Sequence, residues 1–370
     1  WSYDLPSNEL SDGHDYEIRS RATDAVGNLQ SEHGQDSFTY DNSEPESYFD
    51  LSEQFYSPSD WDAEVPIQGT SFDAYSGIGT VDVSILDNTE GGLYFNGQEW
   101  SETELWFRAD GQENWSYSFS STHLTDAHNY IVQIRATDLT GNQETSFSTD
   151  TFTFDASLPT SQVLVEREFY SSINWNDVNS ISGESDDAVS GVDSVRITIL
   201  RMSDNYWWNG TSQWVLNETW LEPNGLEEWT YSLNLNTLVN GVSYIVSSKA
   251  TDLTGNVQTE LGRDTLTYDV TNPNAGVVYD GLVDDLDQDW SSSTTTMSAN
   301  WSGFQDATSG IAMYEYSIGS TPGGTDVLTW TDGGLETSFT ESVTLTSGDD
   351  YYISVRATDG AGNVSNITTS

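Results

Sequence analysis

The sequence predicts an array of all-β sandwiches. One segment occurs four times, as YEIRSRATDAVGN at 16–28, YIVQIRATDLTGN at 130–142, YIVSSKATDLTGN at 244–256 and YYISVRATDGAGN at 351–363. Gly27, Gly141 and Gly255 are spaced by 114 residues and Gly362 follows after 107, the period of one small domain rather than of a solenoid. Aromatic residues make up 12% of the chain against only 3 Met, which favours small β-rich cores over helical bundles. Short alternating runs separated by Gly, Asn and Asp, with no convincing 3.6-residue periodicity, point the same way.

Within each copy the residue types specify a strand, a tight turn and a second strand. Tyr130, Val132, Ile134 and Ala136 fall on one side of an extended chain, with Ile131, Gln133 and Arg135 on the other. Asp138 and the following Leu-Thr-Gly-Asn supply turn chemistry, because Asp bonds its own backbone two residues on and Gly accepts a positive φ. A leucine stands six residues before each tyrosine, at Leu10, Leu124, Leu238 and Leu345. That spacing resembles the tyrosine corner of immunoglobulin and fibronectin type III sandwiches.

The period divides the chain into residues 1–43, the C-terminal part of a first module; 44–157 and 158–271, two nearly whole modules; and 272–370, a module ending before its last strand. Trp1 lies 114 residues before Trp115, so a larger parent chain is expected. The closing segments FTYDNSEP (38–45), FTFDASLP (152–159) and LTYDVTNP (266–273) repeat an aspartate (Asp41, Asp155, Asp269) four residues before a proline (Pro45, Pro159, Pro273). Proline ends strand pairing and stiffens the exit, so the expectation is an extended rod with limited bending. The last module differs: ANWSGF, YEYSIG and TPGGTD place a Trp on its second strand and Tyr on its third, a pattern closer to fibronectin type III.

Sixty Asp and Glu stand against 10 Lys and Arg, a formal charge of −50. Such a surface repels nucleic acid and anionic membranes. It serves solubility or salty surroundings, and it also offers carboxylates to divalent cations; the two readings are compatible. Of the cations, Arg21, Arg135, Lys249 and Arg356 recur at one repeat position, on the outer face of the predicted strand. With no cysteine, neither disulfides nor thiol chemistry are available. No run of about 18 apolar residues marks a membrane span.

Together the A-T-D-x-x-G-N motif and the aspartate–proline linker resemble the tandem immunoglobulin-like repeats of very large bacterial and archaeal surface proteins, including giant adhesins, over essentially the whole chain. The resemblance implies an extracellular stalk with calcium near domain junctions. Here the usual threonine-rich linker is replaced by Asn42-Ser43-Glu44 or Ala156-Ser157-Leu158, a departure that bears on the ligand set. In an immunoglobulin-like sandwich the B–C and F–G loops lie at the pole where the N-terminal linker arrives. The D-A-x-S-G segments (73–77, 187–191, 306–310) fit the first loop and T-D-x-x-G-N the second. The candidate calcium ligands are therefore Asp41, Asp73 and Asp138; Asp155, Asp187 and Asp252; and Asp269, Asp306 and Asp359. Ca²⁺ takes six to eight oxygens in irregular geometry, with affinity of order 10⁻⁴ to 10⁻³ M in extracellular modules. Each aspartate by itself is also an ordinary turn-former.

Two functions remain open from the sequence. The first is a structural segment of a large surface protein (stalk, filament or coat), partnered by further repeats of its own chain or by self-association. The alternative is a glycan-binding array in which Trp100, Trp106, Trp207, Trp208 and Trp214 stack on sugars, against the commoner use of Trp as core filler. An enzyme is not expected, since no nucleophile elbow, P-loop or dinucleotide fingerprint occurs. His14, His33, His123 and His128 fall at non-equivalent positions, and His123 and His128 read as solvated loop residues. Six N-x-S/T sequons begin at Asn114, Asn209, Asn217, Asn300, Asn363 and Asn366, agreeing with an extracellular setting.

Overall fold

A computed structural model describes residues 1–49, 51–64, 67–178, 180–284 and 286–370. The chain forms two compact units: residues 1–158 with the loops 187–191 and 252–256, and the rest of the chain from Pro159 to Ser370. Both are built from β-strands, as the alternation predicts.

The first unit begins with an antiparallel hairpin of β1 (His14–Ser20) and β2 (Gly34–Tyr40). Two sheets follow. One has the order β10 (Asp110–Gly111), β11 (Asn114–Ser116), β5 (Gln68–Phe72), β3 (Glu46–Phe49). The other runs β4 (Phe55–Tyr56), β13 (Ser148–Phe154), β12 (Asn129–Asp138), β6 (Ile78–Asp87), β7 (Leu93–Phe95), β8 (Trp100–Ser101), with β9 (Phe107–Arg108) also against β6. Burial on β12 alternates residue by residue, and Tyr130, Val132, Ile134 and Ala136 are the inward set. They meet Trp61, Trp115 and Phe152 in one apolar core. Each large side chain so buried contributes roughly 1.5–3 kcal/mol, which a sandwich without disulfides requires.

In the second unit β14 (Thr160–Leu164), β16 (Ile181–Asp186) and β20 (Glu228–Tyr231) form one sheet. Its companion has the order β15 (Phe169–Tyr170), β22 (Gly262–Tyr268), β21 (Val242–Asp252), β17 (Val192–Arg201), β18 (Tyr206–Trp208), β19 (Trp214–Val215). Trp175, Trp229, Tyr244 and Leu266 fill the core. A separate core around Trp301, Tyr316, Phe339 and Ile353 lies in the C-terminal part. There β23 (Val277–Asp280), β24 (Thr296–Ser302) and β27 (Ser338–Ser342) form one sheet; β26 (Leu328–Gly334), β25 (Ile311–Gly319), β28 (Tyr352–Asp359) and β29 (Thr368–Thr369) form the other. Trp301 on β24 and Tyr314 and Tyr316 on β25 are buried, as the pattern of this segment predicts.

All four tyrosine corners are present. The hydroxyls of Tyr16, Tyr130, Tyr244 and Tyr351 accept the backbone N–H of Ser11, Thr125, Val239 and Thr346, at 2.7, 2.7, 2.7 and 2.9 Å. Each bond clamps the turn that enters the strand carrying the repeat motif.

The sheets are interrupted by two short helices that the sequence reading does not anticipate, α1 (Pro58–Glu64) and α2 (Ser172–Val178). Their signals are local. Ser57 precedes Pro58 and its Oγ accepts from Asp60 N at 3.3 Å, while Asn174 Oδ1 reaches back to Ser171 N at 2.7 Å. Each helix inserts one Trp, whose indole N–H donates to a backbone carbonyl: Trp61 to Phe119 at 2.7 Å and Trp175 to Leu233 at 3.3 Å.

Candidate metal centres built from three aspartates

Each aspartate trio comes from three separate segments: the closing residue after a terminal strand, the loop before a long central strand, and the turn that follows the repeat motif. The structure brings all nine predicted residues together in threes. Asp41, Asp73 and Asp138 each offer one carboxylate oxygen, and these oxygens lie within 4.8 Å of one another; the same holds for Asp155, Asp187 and Asp252, and for Asp269, Asp306 and Asp359. The first two trios lie wholly in the first unit and the third in the second.

Local chemistry fixes each position. At the motif turn, Asp138 Oδ1 accepts Thr140 N, Gly141 N and Asn142 N at 2.8, 2.6 and 2.9 Å, and its Oδ2 accepts Asn142 Nδ2 at 2.6 Å. Asp252 and Asp359 repeat the bond from the Asn side chain, at 2.8 and 2.9 Å. In the D-A-x-S-G loop only one oxygen is used. Asp73 Oδ1 accepts Tyr75 N, Ser76 N and Gly77 N at 3.0, 2.8 and 2.8 Å. Asp187 Oδ1 accepts Val189 N, Ser190 N and Gly191 N at 3.1, 3.0 and 2.9 Å. Asp306 Oδ1 accepts Thr308 N, Ser309 N and Gly310 N at 3.0, 2.8 and 3.1 Å.

The second oxygen of the loop aspartate is left over. Asp73 Oδ2 is closed off from solvent and has no hydrogen-bond partner, and so is the hydroxyl of Ser190 beside Asp187. Ser190 N donates to Asp155 Oδ2 at 3.2 Å, so this hydroxyl sits at the second trio. The closing and motif aspartates of every trio are buried. Among the described residues no arginine, lysine or histidine forms an ion pair with any of the nine.

Three carboxylates at this spacing with no cation among their side-chain neighbours are electrostatically incomplete, because burial and mutual repulsion both oppose ionisation. The effect is visible at Asp359, whose carboxyl is pushed up by burial, with the charge of Asp269 adding to it. At Asp138 burial also raises the carboxyl, but the hydrogen bonds of its turn outweigh it and hold the group below the ordinary range. A hard cation fits this donor set: all oxygen, anionic, supplied by loops, with one oxygen unpartnered.

The tryptophans are placed differently from a sugar-stacking platform. Trp208 is buried, and Trp100 packs on the core with its indole N–H on the His123 carbonyl at 3.0 Å. Trp214 bonds the Thr237 carbonyl at 3.2 Å and lies under Arg201 at 4.7 Å. Trp106 is covered by Arg135 at 4.1 Å, Trp220 by Lys249 at 4.2 Å and Trp330 by Arg356 at 4.4 Å. Trp207 is half-buried on β18. Three of the recurring cations, Arg135, Lys249 and Arg356, are thus ring-stacking partners. His128 is also not a free loop residue, since its Nδ1 lies 2.7 Å from Asp87 Oδ2. Two sequons are unavailable in the folded chain. Asn300 and Asn363 are buried, and their amides donate to the Gly281 and Val283 carbonyls and to the Asp269 carbonyl and Asp359 Oδ2 respectively.

No protein-family model and no curated protein matches the chain. Similar solved structures include one from a study of host-cell surface retention of a 1.5-MDa bacterial ice-binding adhesin, at 18% identity over 88% of this chain and 95% of that one, with a TM-score of 0.38. A Ca²⁺-stabilized adhesin of an Antarctic bacterium is similar at 17% identity over 100% of this chain and 83% of that one, TM-score 0.31. The FN1–FN3 domains of chicken CNTN1 are similar at 12% identity over 82% of this chain and 92% of that one, TM-score 0.33.

Proposed function

We propose that the chain is a non-enzymatic repeat segment of a large extracellular surface protein, with Ca²⁺ held by the three aspartate trios. Each ion ties the closing segment of one sequence repeat to two loops of the next and stiffens the array. The observation that carries this reading is the thrice-built carboxylate trio in which the loop aspartate commits one oxygen to its own turn and leaves the other without a partner at Asp73. Asp24 supplies the contrast. Its turn makes the same bonds, to Val26 N, Asn28 N and Asn28 Nδ2, at a fully exposed site outside any trio.

With Kd between 10⁻⁴ and 10⁻³ M, each ion adds about 1.4–2.7 kcal/mol at 10 mM Ca²⁺. The test is the thermal midpoint of the full chain in chelator, in millimolar Ca²⁺ and in NaCl of equal ionic strength. A rise specific to Ca²⁺ supports the reading; an equal rise in NaCl refutes it and leaves general screening of the acidic surface.

A further inference from the structure

We infer that Asn114 carries an N-linked glycan and that its first sugars rest in a seat built on the outer face of β11, β5 and β3. This rests on the surface location proposed above but not on calcium. Asn114-Trp115-Ser116 is a sequon lying on a strand. Trp115 is buried, so period-2 alternation turns Asn114 outward, and it is exposed. Register then aligns a row of outward residues: Asn114 opposite Thr70, and Thr70 opposite Tyr48. Phe72 lies two residues along β5, on the same face.

Two features make this face a seat. A shallow, wide-open hollow of about 400 Å³ lies beside Asn114, bordered by Gln68, Gly69, Thr70, Asp110, Trp115 and Ser116. Beyond it Tyr48 and Phe72 are 55% and 63% exposed, the Tyr48 hydroxyl donating to the carboxylate of Glu46, the residue opposite Phe72. Two strand spacings separate Asn114 from Tyr48, about 10 Å, a span that one or two sugar rings bridge. Polar walls near the attachment point and ring faces farther out match the hydroxyl edge and the apolar C–H face of a pyranose.

The sister repeat provides an internal control. At the positions 114 residues later, Asn114 becomes Glu228, Thr70 becomes Glu184, Tyr48 becomes Gln162 and Phe72 becomes Asp186. Glu228 pairs with Glu184 and Glu184 with Gln162 in the same register, so the backbone platform is unchanged. Where the sequon is lost, both aromatic rings are lost with it and the face carries Glu228, Glu184, Gln162 and Asp186, while a hollow of about 670 Å³ persists there, so the rings and not the hollow follow the sequon.

The attachment is an ordinary glycosyl transfer from a lipid-pyrophosphate-linked oligosaccharide. Asn114 Nδ2 bonds to the anomeric carbon, the bond from that carbon to the pyrophosphate oxygen breaks, the lipid pyrophosphate leaves with the electron pair, and the amide gives up one proton.

The experiment is glycopeptide mass spectrometry of the full chain secreted from a host whose oligosaccharyltransferase accepts N-x-S/T, with exposed Asn217 and Asn366 as internal controls. Amide hydrogen exchange is then measured on the same protein, on Ser116→Ala, and on Tyr48→Ala/Phe72→Ala. Expected are occupancy at Asn114, exchange in β3 and β11 slowed several-fold relative to Ser116→Ala, and loss of that protection in the double aromatic variant although the glycan stays attached. Asn114 bare while Asn217 or Asn366 is occupied overturns the inference and leaves the surface-protein reading intact. Occupancy without aromatic-dependent protection overturns the seat. A secreted chain with every sequon bare overturns the inference as well.

Discussion

Asn142 Nδ2 donates to the backbone carbonyl of Asp41 at 3.3 Å, joining the end of the repeat motif to the closing residue of the preceding repeat. The same bond recurs from Asn256 to Asp155 at 3.1 Å and from Asn363 to Asp269 at 3.0 Å. One amide therefore holds the closing carbonyl and the motif carboxylate at once, which makes the last residue of A-T-D-x-x-G-N a clasp as well as a turn-former.

Replacing that clasp should loosen its trio. Asn256→Ala removes the bonds to the Asp155 carbonyl and to Asp252 Oδ2 and leaves two buried acceptors short of a donor. A loss of about 1–3 kcal/mol is expected in denaturant unfolding; an unchanged midpoint would show that the clasp contributes nothing.

Gly183 is fixed by a close approach. A Cβ there would lie 2.0 Å from Trp229 Cζ2 and 2.2 Å from the Gln162 carbonyl oxygen. Because the indole is wholly buried it has no room to give way, and Gly183→Ala is expected to destabilise by about 1–3 kcal/mol or more. Comparison of urea midpoints checks this.

The Arg135 guanidinium lies 4.1 Å from the Trp106 ring centroid and also faces Asp82 at 3.8 Å. A double-mutant cycle on Arg135→Ala and Trp106→Leu should return a coupling of about 0.5–2 kcal/mol. Free sugars added to the parent should not change Trp106 fluorescence, since the cation occupies the ring face.

Tyr316 predicts an alkaline limit. Burial, with its hydrogen bond to Glu341 at 2.7 Å, pushes the phenol up to about 12 from 10.0. Below pH 10 both folded and unfolded phenols are protonated and the group adds no pH dependence. Between about 10 and 12 the unfolded phenol releases its proton first, so the unfolded chain binds fewer protons and stability falls as pH rises, by roughly 2 kcal/mol across the window. Tyr316→Phe should reduce the slope of stability measured between pH 9 and 12, while the other tyrosines raised by burial, among them Tyr130, Tyr244 and Tyr314, keep their share.

What was legible in the sequence is what repeats locally. The spacing of Leu124 to Tyr130 encodes a tyrosine corner, and the alternation from Tyr130 to Ala136 encodes the buried face of β12. The nine aspartates could be assigned to three poles because loop positions in a sandwich follow from strand order. Side-chain pairing across strands was not legible. Whether Trp106 faces solvent or lies under Arg135 depends on register between β6, β9 and β12, which periodicity within one strand does not encode. The helix α1 was hidden by its length, since seven residues give under two turns of pattern, and its one strong marker is the Ser57-Pro58 start.

The most direct test of the metal-centre account is the number of Ca²⁺ ions bound by the full chain at 0.15 M NaCl, counted by native mass spectrometry for the parent and for Asp187→Asn. Asparagine at 187 keeps the Oδ1 that accepts Val189, Ser190 and Gly191 and replaces only the second oxygen with an amide. Three saturable ions are expected in the parent and two in the variant, with the variant at least as stable as the parent in chelator. Equal counts in both proteins, or unsaturable binding that follows ionic strength alone, would contradict it.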